Sequence, residues 1–158
     1  MKDSDLDLDR YLLFTLNSEL YATPLMGVRE VVEMHKPKQI PHTVPSFIGV
    51  INIRGEIVGV LDLRLRLGYE AKRTPGESMM VFDMGSGAIA AIVDSMEGVL
   101  KIDSDAIDTK PSIESRLPLD FLIGVARLKD RLVTVIDLGK VLQKEEVRTL
   151  TLAVQKSA

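Results

Sequence analysis

Two stretches of this chain repeat in the same order, and that constrains the fold more than any other feature. Residues 11–34, YLLFTLNSELYATPLMGVREVVEM, align with residues 79–102, MMVFDMGSGAIAAIVDSMEGVLKI, at a shift of 68. Phe14 falls on Phe82, Ser18 on Ser86, Ala22 on Ala90, Val28 on Met96, Val31 on Val99 and Val32 on Leu100. A second block, GVINIRGEIVGVLDL at 49–63, matches GVARLKDRLVTVIDL at 124–138 at a shift of 75. Gly49/Gly124, Val50/Val125, Val58/Val133, Val60/Val135, Asp62/Asp137 and Leu63/Leu138 are identical pairs. The larger second shift places about seven extra residues between Ile102 and Gly124. Self-similarity of this kind marks repeated structural units. The expected units are residues 10–72 and 77–143, joined through KRTPGE at 72–77. Residues 1–9 form an acidic N-terminal tail, and 144–158 a C-terminal tail or helix.

Each copy reads as β structure. Tyr11–Leu16 alternates and is rich in strand formers, and Asn17-Ser18 turns it into Glu19–Thr23. Val28–Met34 is a further extended run. Ile48–Ile53 and Ile57–Leu61 flank Arg54-Gly55-Glu56, where Gly55 takes a positive φ without steric cost, so a hairpin is expected. The second copy gives Met79–Met84, a turn at Gly85-Ser86-Gly87, Ala88–Val93, Met96–Ile102, Leu122–Leu128, a different turn at Lys129-Asp130, and Leu132–Ile136. Asp62 and Asp137 follow the last strand of each copy and read as N-caps of short helices, because an Asp carboxylate accepts from free first-turn N–H groups. The first helix is expected over Leu63–Leu67, stopped by Gly68. The second helix is expected to run longer, through Val141 and Leu142 towards Val147 and Leu150. Prolines 37, 41 and 45 mark an irregular connection in the first half, and Pro111 and Pro118 one in the second. Five short strands per unit point to small closed barrels, since closure removes exposed sheet edges. Units so small bury little surface alone, so a shared core is expected between them.

The chemistry-bearing residues argue mostly by exclusion. There are no cysteines, so disulfides, thiolate metal sites and cysteine nucleophiles are absent. The net charge of −3, from 20 basic and 23 acidic side chains, provides no strong field for nucleic acid or an anionic surface. The longest apolar run, about Ala88–Val93, is far short of the roughly 20 residues that span a bilayer. Residues 1–9 lack the basic start and apolar stretch of a signal peptide, so a cytoplasmic location is the expectation. His35 and His42 lie in the loop HKPKQIPH and read as exposed loop residues rather than metal ligands. No phosphate loop, dinucleotide fingerprint, nucleophile elbow or zinc-protease motif is present. Glu77, Asp83 and Asp94 have no companion base that the sequence identifies. Lys36, Lys38, Lys72 and Arg73 form a basic group with few aromatics near it, which reads as solvated surface. No cofactor or metal is expected, and no enzyme activity. Two classes remain open: an interaction scaffold, and a small-barrel nucleic-acid or ligand-binding module.

The stretch from Phe47 to Arg64, FIGVINIRGEIVGVLDLR, resembles the signature block of CheW-like domains, G-V-x-N-L-R-G-x-I-x-P-V-x-D-L-R. Tyr21 through Val32 resembles that family's Y-x-x-x-x-x-x-V-x-E-I segment, and Val93–Val99 its V-D-x-V-x-x-V segment. The likeness covers roughly residues 10–143. Gly59 stands where the family usually has Pro, and Met96 where Val is common. The resemblance implies a mainly β fold of two pseudo-repeated five-stranded SH3-like barrels with short helices and a junction core. It further implies a stand-alone chemotaxis adaptor that couples chemoreceptors to the histidine kinase CheA, recruited to receptor arrays at the membrane without inserting into it. Its partners would be the tip of the receptor's cytoplasmic helical hairpin and the regulatory domain of CheA. By resemblance the receptor-binding residues are Val28, Glu30, Gly49, Arg54, Met96 and Val99. The twofold relation of the repeats would bring Val28 and Met96 together at the junction, and Arg54 would be open to solvent.

Overall fold

The computed structural model describes residues 8–41, 45–85, 87–109, 121–142, 146–149 and 151–152. The first half forms β1 (Arg10–Leu16), β2 (Glu19–Pro24), β3 (Glu30–Glu33), β4 (Phe47–Ile53), β5 (Glu56–Asp62) and the helix α1 (Leu63–Arg66). The second half forms β6 (Ser78–Asp83), β7 (Ala88–Val93), β8 (Ser95–Lys101), β9 (Ile107–Asp108), β10 (Leu122–Leu128) and β11 (Arg131–Ile136), then a 3₁₀ turn at Leu138–Lys140. Asn17 and Ser18 both have positive φ between β1 and β2, as a two-residue hairpin needs. Arg54 and Gly55 do the same between β4 and β5. In the matching second-half turn Lys129 has positive φ and Asp130 does not, so the two turns differ. Asp62 accepts from the backbone N–H of Arg64, and Asp137 from that of Gly139, which makes both the caps expected of them. Gly68 follows α1 at φ +86, the usual left-handed stop. After Asp137 the helix is one 3₁₀ turn; Val141 and Leu142 are not helical, and helix resumes at residues 146–149. His42, Ser86, Pro111, Pro118 and Leu150 lie outside the described residues.

The strands form two sheets, in the orders β8-β1-β2-β11-β10-β9 and β3-β6-β7-β5-β4. Each sheet therefore takes its first hairpin from the other half of the chain. β2 lies parallel to β11, and β7 lies parallel to β5. This corrects the expected division at 10–72 and 77–143, because neither half contains a whole sheet. Period-two alternation fixes which face of a strand is apolar and says nothing about which strand lies beside it. Each sheet is bent enough for a short run of chain to join its edges. Five residues separate β8 from β9 at opposite edges of one sheet. In the other, the chain leaving β3 reaches Lys38, which bridges Val50 of β4. Among the described strands, a continuous ladder around a closed barrel is not formed.

The repeat sets the packing. β1 and β6 are apolar on both faces, and alternate residues enter different cores. Tyr11 and Leu13 face the interior of the first sheet, as their counterparts Met79 and Val81 face that of the second. Leu12 and Phe14, with their counterparts Met80 and Phe82, face a third core between the sheets. All four phenylalanines, Phe14, Phe47, Phe82 and Phe121, are buried in this junction core. Full burial of such a side chain stabilises by roughly 1.5–3 kcal/mol. Phe14 also stacks on Tyr21 at 5.9 Å between ring centroids. The shared core expected from the sequence is thus a strong joint between the lobes.

Gly49 and Gly124 take equivalent places. Each sits at a register shift, on β4 against β5 and on β10 against β11. Lys38 bridges Val50, and Asp108 pairs with the matching Val125, so both glycines lie under the same crossing segment. A Cβ on Gly124 would stand 2.5 Å from the Asp108 carbonyl oxygen, and one on Gly49 nearer still to that of Lys38. Close backbone approach explains why both copies keep glycine.

Candidate partner-binding surface

The β4–β5 turn projects from one end of the second sheet. Asn52 accepts from the Gly55 N–H at 2.8 Å, and a Cβ on Gly55 would meet nothing within 4 Å. Arg54 is exposed, as expected, with its side chain 71% accessible. It is also ion-paired to Glu30 of β3, so the structure brings together two of the residues expected to contact a receptor. Val28 and Met96 both pack against the junction core, at matching positions of the repeat. Val99 is exposed on β8, opposite Leu12 of β1. Gly49 is buried, and packing accounts for its place. Val31, the repeat counterpart of Val99, is likewise exposed on β3. The sequence alignment pairs the two, yet Val31 was not among the expected site residues.

Beside Arg54 lies a second cation, Arg29. Its guanidinium donates to Glu56 at 2.9 Å and to Asp83. These hydrogen bonds, first to Asp83 and then to Glu56, raise the Arg29 pKa. A partner approaching this end of the sheet meets two guanidiniums and three carboxylates held in fixed pairs, which suits charge-assisted, forked recognition.

The other acidic residues have structural work. Arg64 is buried on α1, and its side chain donates to Asp62 at 3.0 and 3.1 Å, to Glu77 at 2.9 Å, to Asp94 at 3.1 Å and to the Lys72 carbonyl. Burial opposes its charge; Asp62, with Glu77 and Asp94, outweighs that and raises its pKa. Asp94 also accepts from Asn17 N–H at 2.7 Å, tying this cluster to the other sheet where the chain crosses between them. Sequence reasoning missed Arg64, whose partners are distant in the chain apart from Asp62. Arg73 pairs with Glu77 and Lys72 with Glu70, so half of the expected basic group is neutralised locally. Lys36 and Lys38 line an open groove of about 560 Å³ with exposed His35. Among the described residues no three His, Cys, Asp or Glu side chains gather in a way that could hold a metal ion, and no helix is long and apolar enough to cross a membrane.

A bilobed β protein with a shared apolar core at its joint, and with charged residues paired at a projecting turn, has the build of a binding module. The chain belongs to the CheW-like domain family, whose model matches residues 10–146. It is 30% identical over 139 residues to the chemotaxis protein CheW of Klebsiella aerogenes, covering 87% of this chain and 83% of that one. It is 27% identical over 138 residues to the chemotaxis protein CheW of Bacillus subtilis, covering 87% and 88%. Among solved structures it resembles the scaffolding protein TtCheW from Thermoanaerobacter tengcongensis, with a TM-score of 0.77, 27% identity, and coverage of 85% and 88%.

Proposed function

We propose that this chain is a non-catalytic adaptor that couples the cytoplasmic hairpin tip of a chemoreceptor to the histidine kinase CheA, working in the cytoplasm at membrane receptor arrays. Family membership supports the chemotaxis role. The observation that carries the receptor contact is the Glu30–Arg54 pair on a projecting turn. It presents a guanidinium to solvent, while Val28, two residues before Glu30, packs with Met96 on the junction core and Val99 is exposed on β8. Apolar side chains accompanied by fixed charges suit the apolar face of a helical partner. The test is to titrate a receptor cytoplasmic fragment and the CheA regulatory domain against wild type and Arg54→Ala. An ion pair this exposed contributes about 0–1 kcal/mol to folding, so the variant stays folded. As an interface arginine its loss costs roughly 2 kcal/mol of receptor binding, about 30-fold in affinity, while CheA binding survives. Unchanged receptor affinity with a sharply lower melting temperature would make Arg54 a structural residue. An oligonucleotide titrated in parallel decides against the small-barrel nucleic-acid module if it does not bind.

A further inference from the structure

Arg29 stands one residue ahead of β3 with its main chain already fixed, since its N–H donates to the Val81 carbonyl at 2.7 Å. From that anchor its guanidinium reaches Glu56, the first residue of β5, and Asp83, the last of β6. One side chain thus ties together the approach to β3, the far side of the β4–β5 turn and the end of β6. The next residue, Glu30, takes Arg54. Adjacent residues 29 and 30, positive then negative, therefore grip residues 54 and 56, positive then negative, one on each side of Gly55. The β4–β5 ladder holds the base of the turn up to the Ile53–Glu56 pair, and beyond that base little else orients it. Its internal hydrogen bond from Gly55 to Asn52 fixes its shape but not its direction, and its tip faces open space. Ion pairs this exposed add little to folding stability. What a forked guanidinium between two carboxylates does set is geometry.

We propose that Arg29 is a positioning residue for the partner-contact surface: by holding Glu56 against Asp83 while Glu30 holds Arg54, it keeps the β4–β5 turn in one orientation. This rests on the reading of Arg54 as a receptor contact. A partner that requires the held orientation sees its apparent affinity scaled by the fraction of time the turn spends there. A turn released to about a tenth occupancy binds about tenfold more weakly. Lysine at position 29 supplies a point charge able to pair with one carboxylate, so it restores only part of the effect.

The experiment compares wild type, Arg29→Gln, Arg29→Lys, Arg54→Ala and the Arg29→Gln/Arg54→Ala double variant. Backbone nitrogen relaxation and hydrogen exchange at Gly55 are measured without any partner, and a receptor fragment is then titrated. The expected result is a more mobile Gly55 amide in Arg29→Gln with an unchanged melting temperature. Receptor affinity then falls about tenfold, is partly restored by Arg29→Lys, and shows no further loss when Arg29→Gln is added to Arg54→Ala. An unaltered Gly55 amide overturns the proposal whatever the binding shows. Additive losses in the double variant also overturn it, because they make Arg29 a contact in its own right. A wild-type chain that binds no receptor fragment defeats the coupling reading instead, and the Gly55 comparison still decides whether Arg29 holds the turn.

Discussion

Replacing Gly49 by alanine should be among the most damaging small substitutions in this chain, and the structure supplies the reasons. Gly49 has φ +149, a backbone conformation that costs a side-chain-bearing residue about 1–3 kcal/mol. The added methyl also lands on the carbonyl of Lys38 and stands 3.1 Å from Pro37 Cβ. Backbone cannot rotate away as a flexible side chain can, so the crossing segment must lift. Lifting it breaks the reciprocal hydrogen bonds between Lys38 and Val50, both 2.8 Å. Each contributes about 0.5–1.5 kcal/mol. Together these give a loss of roughly 2–6 kcal/mol. Gly124→Ala meets the Asp108 carbonyl in the same way but without a left-handed φ, so its loss is smaller, about 1–3 kcal/mol. Gly55→Val is the contrast: φ is +88 but the space around it is open, so only backbone strain applies, about 1–3 kcal/mol. Chemical denaturation gives the ranking, and amide exchange at Val50 reports whether the crossing segment has lifted. If Gly49→Ala costs no more than Gly55→Val and Val50 exchanges at its wild-type rate, the close-approach argument is wrong.

Two further outcomes are expected. Arg64→Met strands Asp62, Glu77 and Asp94 around an uncharged side chain and should lower unfolding free energy by about 3–5 kcal/mol; a loss under about 1 kcal/mol would show that the cluster relaxes into water. Burial and the hydroxyl bond to Tyr69 raise the pKa of Tyr21 above its ordinary 10.0, so the folded state keeps a proton that the unfolded state gives up. That contribution is complete below pH 10.0 and falls as pH rises above it, and Tyr21→Phe should remove a component of the tyrosinate absorbance titration that lies above pH 10.0.

Much of the architecture was legible because the repeat carries physical information. Phe14 and Phe82 match since both enter the junction core, and Gly49 and Gly124 match since both lie under a crossing segment. The hairpin at Arg54-Gly55 followed from glycine's freedom, and the two Asp caps from local hydrogen bonding. The exchange of hairpins was not legible, because β1 has apolar residues on both faces and would read the same beside either set of strands. Arg64 sits in LRLR among residues of opposite character, and nothing near it announces that Glu77 and Asp94 will close around it. At the candidate site, Glu30 and Arg54 came from family resemblance alone, and their pairing emerged only from the fold. Arg29 carried no signal until the fold set it beside Glu56 and Asp83.

The exchanged hairpins also govern the order in which this protein can be made. During synthesis β1 and β2 emerge first, but their neighbours β8 and β11 belong to the second half, and Leu20 waits more than a hundred residues for Val133. Contacts so distant in the chain slow folding, since loop closure precedes the contacts that reward it. The first hairpin must therefore remain without its sheet while β3, β4 and β5 await β6 and β7. The lobe that contains the N-terminal strands is the last one that the ribosome allows to close.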